Sequence, residues 1–340
     1  MIVDELHAAL REGRLTAEEA AAITPELWVS RNAAGNTPLH TAAKYGTLSI
    51  LPSEALTEDS LLLKNDSGYT PLHHAALGGH LDQVPVGILT PEILLTRSNS
   101  GYTIFHVAAG HGHLGQFPAE LLTLEIVETK TELGNTLLHE SAENGTLDRF
   151  PPAFLTGDLL VQTNASGETV FHVAALNGNL HQIPAELITA DAMLGQTAAG
   201  DTAIHASAIA GHLEQIPEAL LTHAHLTLAS KSGYTVIHAA AETGQLRKIP
   251  ASELTADLLL TRNDHGDTPL HAAAYEGHLN QLPTELLTAE NLNARNYDGM
   301  TPLRTAVARG FANQLPLGLR PKPPGTLARV LGKLGLARPS

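Results

Sequence analysis

One interval constrains this chain more than anything else in it. Glycine stands at Gly35, Gly68, Gly101, Gly134, Gly167, Gly200, Gly233, Gly266 and Gly299, each 33 residues after the last. Other residues keep step with it. Two after the Gly comes Thr, from Thr37 to Thr301; five after comes His, from His40 to His271, with Arg304 in its place in the last copy. Eleven after comes a second Gly, from Gly46 to Gly310, and seventeen after comes Pro, from Pro52 to Pro316. In the full copies a further Thr follows, from Thr57 to Thr288. A unit this short cannot enclose a core of its own. A register held without insertion therefore predicts a solenoid in which each copy buries its apolar face on its neighbours. Length alone, at 340 residues, would suggest two or three globular domains; the period predicts one elongated array instead. Aromatic residues are only 4% of the chain, so Ala and Leu must do the packing, as thin helical layers require.

Within a copy the first helix is placed by its ends. In the copy beginning at Gly266, Thr268 is the expected N-cap and Pro269 takes the first helical position, where its missing N–H is not needed. The helix then runs through His271 and three alanines to Gly277, a C-terminal stop. The second half reads differently. Leu180 to Thr189 spells Leu-His-Gln-Ile-Pro-Ala-Glu-Leu-Ile-Thr, with Pro where a continuous helix would lose about 3 kcal/mol. Repeated in every copy, that loss would be prohibitive, so the Pro is expected to start a helical turn. Glu54, Glu120, Glu186 and Glu285 then lie in its first turn, favourably for the helix dipole. The late Thr is a second N-cap, with Asp59, Glu92, Glu125, Asp158, Asp191, Asp257 or Glu290 two residues on. Two short helical turns are thus expected in this half.

The segment Gly266-Asp267-Thr268-Pro269-Leu270-His271-Ala272-Ala273-Ala274 resembles the ankyrin repeat in its period and its Thr-Pro-Leu-His-x-Ala core. Asn293 to Gly299 resembles the family's wording between repeats, whereas the Pro-centred second half departs from it. The resemblance implies an all-α helical repeat solenoid, an ankyrin-like stack of 33-residue units. Residues 2–34 read as a degenerate N-terminal capping repeat, because His7, Gly13, Leu15, Thr24 and Asn32 fall in register with Asp4 as the N-cap. Residues 35–298 hold eight repeats, 299–320 a C-terminal capping repeat, and 321–340 a Pro-rich linker and a short basic amphipathic tail. The resemblance also implies a role for the ladder histidines His40, His73, His106, His139, His172, His205, His238 and His271. Each is expected to tie the Thr of its own unit to the backbone of the next.

Chemistry finds little purchase. The ladder histidines sit one repeat apart, and packed helices lie 8–10 Å from each other, too far for one metal ion with ligands at about 2 Å. His111 and His113 beside His106, and His223 with His225, are the densest His groups, and solvated turns account for them better than a metal. The chain has no Cys, hence no disulfide and no thiolate, and no Gly-Lys-Ser/Thr phosphate loop. Ser141 and Ser207 occupy Ala positions, where small size explains them. No catalytic residue, cofactor or metal is expected. A net charge of −15 argues against nucleic acid and anionic lipid as partners, except at 321–340, which carries four of the 20 basic residues and no acidic ones. The N-terminal residues lack the apolar core of a secretory signal, so a cytoplasmic location is expected.

The expectation for function is a non-enzymatic scaffold that binds a protein partner, itself a monomer, through the concave surface implied by the resemblance. The alternative is an anchoring protein whose basic C-terminal helix docks on a membrane or partner. Two positions vary beside invariant neighbours and are read as surface positions. One follows the anchoring Gly and carries Asn36, Tyr69, Tyr102, Asn135, Glu168, Asp201, Tyr234, Asp267 and Met300. The other follows the ladder His and carries Thr41, His74, Val107, Glu140, Val173, Ala206, Ala239 and Ala272. Tyr69, Tyr102, His74 and Val107 form the best aromatic and apolar cluster, suited to anchoring a partner.

Overall fold

The computed structural model describes residues 2–85 and 87–321, so the expected linker and tail at 321–340 lie, beyond Pro321, outside the described residues. The chain divides into two compact units, Met1–Ala198 and Ala199–Ser340. Nothing in the unbroken period announces that division. Each unit is a stack of helices, and among the described residues there is no strand beyond two isolated bridges, Thr163 with Thr169 and Ala229 with Thr235.

In the first unit the stacked helices are Val3–Arg11, Pro38–Tyr45, Pro71–Gly78, Ile104–His111, Leu137–Asn144 and Val170–Leu176. In the second they are Ala203–Ala210, Val236–Glu242, Pro269–Glu276 and Pro302–Ala308. Their starts follow from the Thr. Thr70, for example, holds an extended φ/ψ while its side chain accepts the backbone N–H of His73, so the helix has a defined first turn. Their ends follow from the second Gly: Gly46 sits at φ 72° and accepts the left-handed conformation that terminates the helix. The alternation of small and large side chains then fills the layers. Leu39, Leu72, Phe105, Leu138 and Phe171 are buried in successive units, with Ala42, Ala75, Ala108 and Ala174 beside them. Each buried Leu or Phe contributes on the order of 1.5–3 kcal/mol.

The Pro-centred half contains one turn more than the sequence suggests. Each full repeat has a 3₁₀ turn before the Pro, as at Leu114–Gln116, usually a second after it, as at Ala119–Leu121, and then a single α-turn, as at Leu124–Val127. Pro118 precedes its turn as an extended N-cap residue (φ −53°, ψ 134°), and its carbonyl accepts the N–H of Leu121 at 3.0 Å. The late Thr caps the α-turn: Thr90, Thr123, Thr189, Thr222, Thr255 and Thr288 accept the N–H three residues on. The residue four after that Thr is driven inward, as Leu61, Leu94, Val127, Leu160 and Met193 show. Asp4 departs from its expected role. The first helix begins at Val3 with Ile2 as its N-cap residue, which leaves Asp4 exposed in the first turn.

Two polar ladders that the sequence reading did not identify tie repeat to repeat. The Gln of the first 3₁₀ turn reaches back one repeat. Gln182 accepts the N–H of Leu147 at 2.9 Å and donates to the carbonyl of Gly145 at 2.9 Å; where Lys248 takes that position, Gln245, just before the turn Leu246–Lys248, bonds instead to Leu213 N–H and the Ala208 carbonyl, at 2.7 and 2.6 Å. Arg31, Arg97 and Arg262 each donate to the carbonyl of their own loop Gly and to a carbonyl 33 residues on. Loop backbones also meet directly, as where Asn99 N–H donates to Ser67 at 3.1 Å. Gly68 permits that approach: it stands at φ +79°, and a Cβ there would lie 2.5 Å from the Asn99 backbone nitrogen.

Candidate interaction groove

The ladder histidines connect this scaffold to the variable surface. In His73 the Nδ1 accepts the backbone N–H of Thr70 at 3.2 Å and lies 2.8 Å from its Oγ1. With Nδ1 an acceptor, the proton sits on Nε2, which donates to the carbonyl of Tyr102 in the next unit at 3.1 Å. The same arrangement joins His40 to Tyr69, His106 to Asn135, His139 to Glu168, His238 to Asp267 and His271 to Met300, at 3.0–3.2 Å. His172 and His205 hold their own Thr169 and Thr202 through Nδ1, and His205 also reaches the carbonyl of Leu228 at 3.0 Å. In six of these pairs the accepting carbonyl belongs to the variable residue that follows the anchoring Gly. The scaffold thus grips the backbone and leaves the side chain to vary. Burial keeps these imidazoles neutral: it pushes His40 down to about 3 and His73, His106 and His139 down to about 4, against a carbonyl hydrogen bond that acts the other way.

In the first unit the gripped side chains line a groove of about 410 Å³ on the helices Pro71–Gly78, Ile104–His111 and Leu137–Asn144. Tyr69, His74, Tyr102 and Val107 all line it. The Tyr69 and Tyr102 rings lie 6.5 Å apart, tilted by 34°, and the His74 ring stands edge-on to Tyr69 at 6.4 Å. Both tyrosines and His74 are half-buried. His74 points Nδ1 at the His40 carbonyl at 3.2 Å, and burial pushes it down to about 4.

Val107 requires a correction. The sequence places it at the surface, yet it is 6% exposed and lines the groove from a buried position. Thr41, Glu140 and Ala239 in the same register are buried as well. Neighbouring helices are close enough to cover this position, so its variety reflects what each junction packs there rather than open water.

Glu140 is the residue whose role sequence reasoning missed. Only 4% exposed, it lines the groove from the helix Leu137–Asn144. Its Oε1 accepts the Asn135 amide at 3.0 Å. Burial lifts its carboxyl to about 7, and nearby Glu143 adds to the rise, while hydrogen bonds from Asn135 and Tyr102 pull the other way. The Tyr102 hydroxyl is raised in turn, by burial first and Glu140 second.

The second unit carries a groove of about 470 Å³ that includes Tyr234, Asp267, Met300, Tyr275 and Arg309. There the Tyr234 hydroxyl donates to Glu242, and the Arg309 guanidinium lies 4.0 Å over the Tyr275 ring. Among the described residues no group of three or more His, Asp and Glu is placed to hold a metal ion, and no helix is long and apolar enough to cross a membrane.

The sequence profile of ankyrin repeats in three copies matches residues 6–86 and 171–250, and the single-repeat profile matches 265–297, together more than half of the chain. The chain belongs to the ankyrin-repeat family. No curated protein matches it significantly. Ankyrin repeats are in general modules of protein–protein interaction. In this ankyrin-repeat chain the usual long second helix is broken into 3₁₀ and α-turns by the recurring Pro.

Proposed function

We propose that this chain is a non-enzymatic interaction scaffold that binds a protein partner, as a monomer, with the first-unit groove as its principal docking site. The observation that carries the reading is the convergence of Tyr69, His74, Tyr102 and Val107 on one concavity whose backbone is fixed from beneath by His40 and His73. Half-buried tyrosines on a rigid backbone offer large contact area with few rotamers left to freeze, as interface anchors require. In the same proposal, 2–34 and 299–320 act as capping repeats around the eight repeats of 35–298, and 321–340 is a separable tail.

The test is a Tyr69→Ala, Tyr102→Ala double variant, compared with the parent chain in affinity capture from a native lysate and then in direct titration of whatever the parent retains. Binding should weaken by more than about 1 kcal/mol with the melting transition in place. Equal affinity in a folded double variant would rule out this groove as the docking site.

A further inference from the structure

We infer that the first-unit groove takes a lysine or arginine side chain of its partner, held against the Tyr69 and Tyr102 rings with its charge at the Glu140 carboxylate. This inference rests on the docking proposal and adds the chemistry of the anchor.

Three observations carry it. The first is the place of Glu140 in the repeat. Its register position holds Ala206, Ala239 and Ala272 in the second unit, and Thr41, His74, Val107 and Val173 elsewhere in the first. The fold therefore has no need of a carboxylate here, and an almost fully buried one opposes folding unless it is paired. The second is that the pairing is incomplete within the chain. Asn135 and the Tyr102 hydroxyl supply neutral hydrogen bonds, with no countercharge. Among the described residues no Lys, Arg or His nitrogen lies within 4.0 Å of the Glu140 carboxylate. Glu143 nearby and the chain's overall −15 leave this corner electronegative. The third is the aromatic wall. The faces of Tyr69 and Tyr102 carry the negative side of the ring quadrupole, and a cation within about 6 Å of such faces is attracted to them. The second unit shows the same chemistry satisfied from within: Arg309 covers Tyr275 at 4.0 Å from the ring centroid and donates Nε–H to the Tyr275 carbonyl at 3.1 Å. The first-unit groove has the aromatic faces and the carboxylate without the cation. A long aliphatic stem also suits it, because Val107 and Leu77 line the groove.

The probes are three capped tripeptides, Gly-Lys-Gly, Gly-Arg-Gly and Gly-norleucine-Gly, titrated into the full chain with ring-labelled tyrosine and followed by NMR at pH 8. The Tyr69 and Tyr102 ring resonances, assigned through single Tyr→Phe variants, should shift with millimolar lysine or arginine peptide and stay still with the uncharged norleucine peptide. Glu140→Gln keeps the shape and the Asn135 hydrogen bond while removing the charge, and should weaken the cationic peptides at least tenfold. Because Gln could settle differently, Glu140→Asp serves as the second variant; it retains the charge and should bind better than Gln. Equal binding of norleucine, or unchanged binding in Glu140→Gln, would overturn the cation inference while leaving an apolar docking groove in place. Absence of any shift with the cationic peptides would overturn it too, and the Tyr69→Ala, Tyr102→Ala capture would then judge the docking reading separately.

Discussion

The two grooves stand on the same scaffold positions and treat charge in opposite ways. In the second unit Tyr234 donates its hydroxyl to Glu242, and Arg309 roofs Tyr275, so acid, aromatic ring and cation find partners inside the chain. In the first unit Tyr69 and Tyr102 face a groove with Glu140 almost fully buried beside them and, among the described residues, no Lys or Arg lining it. The His ladder beneath is the same in both: His73 holds the Tyr102 carbonyl as His238 holds that of Asp267. A repeat thus separates two tasks. Invariant Thr and His fix the backbone, and variable residues decide whether the surface above is already satisfied or awaits something from outside. At this register position the second groove has Ala272 and Thr305 where the first has His74, Val107 and Glu140, so it lacks their ring and buried carboxylate.

Acid should separate the two units most strongly. Each ladder His accepts a Thr N–H on Nδ1, so protonation removes an acceptor from inside the stack. Burial holds His40 at about 3 and His73, His106 and His139 at about 4 in the folded chain, against an ordinary value near 6.5. In the unfolded chain these groups protonate first. Stability is therefore full above pH 6.5 and falls as pH drops towards 4, by up to about 3 kcal/mol for each such histidine. Glu140 has the opposite sign. Its folded value near 7 lies above the ordinary 4.5, so its contribution declines as pH rises between those values and offsets only part of the loss. In the second unit His238 and His271 are lowered as well, by burial first, and Asp267 raises both. The first unit should consequently unfold at the higher pH. Trp28, the single Trp and buried in that unit, reports on it by fluorescence, while far-UV circular dichroism reports on the whole. A Trp28 transition that follows the dichroism transition on acidification would contradict the comparison.

A smaller effect separates the ladder's two consequences. His73→Ala and His238→Ala should each cost about 1–3 kcal/mol, because each leaves a buried Thr N–H and a carbonyl without a partner. Only His73→Ala should also weaken partner binding, since it frees the backbone that positions Tyr102. Thermal melts and partner titration of both variants measure the two effects. Equal binding losses would show that the ladder acts only through global stability.

Much of this was legible in the sequence because repetition multiplies weak signals. A single Thr-x-x-His is ambiguous, whereas eight in register marked both the helix start and the ladder. The same register put Tyr69 and Tyr102 on neighbouring copies. What stayed hidden depends on one turn or one junction. The 3₁₀ turn at Leu114–Gln116 is too short to show periodicity, and the Gln at its end reads as surface until its partner one repeat back is known. The burial of Val107 is not legible in the sequence, because variability looks the same whether a position faces water or a changing neighbour. Glu140 on its own helix resembles any solvated acid; its meaning comes from Tyr102 and Asn135, which arrive from other segments.

The finest test of the contrast is to remove the cation that the second unit supplies for itself. Arg309 interacts with Tyr275 through its ring face and its carbonyl, at an exposed site where such contacts contribute about 0.5–1 kcal/mol. Arg309→Ala should lower stability by no more than that. It should also uncover the half-exposed Tyr275 ring, with Glu276 and Glu242 lining the same groove. The capped lysine peptide, which should leave Tyr275 unmoved in the parent chain, should then begin to shift its ring resonance. The induced binding should be weaker than in the first unit, because the second groove lacks a buried carboxylate: Glu242 and Glu276 are exposed. If the Tyr275 resonance were equally sensitive to the peptide with and without Arg309, the guanidinium would not be occupying a cation site, and the parallel between the grooves would fail. If Arg309→Ala matched or exceeded the first unit in affinity, burial of Glu140 would not be what distinguishes them.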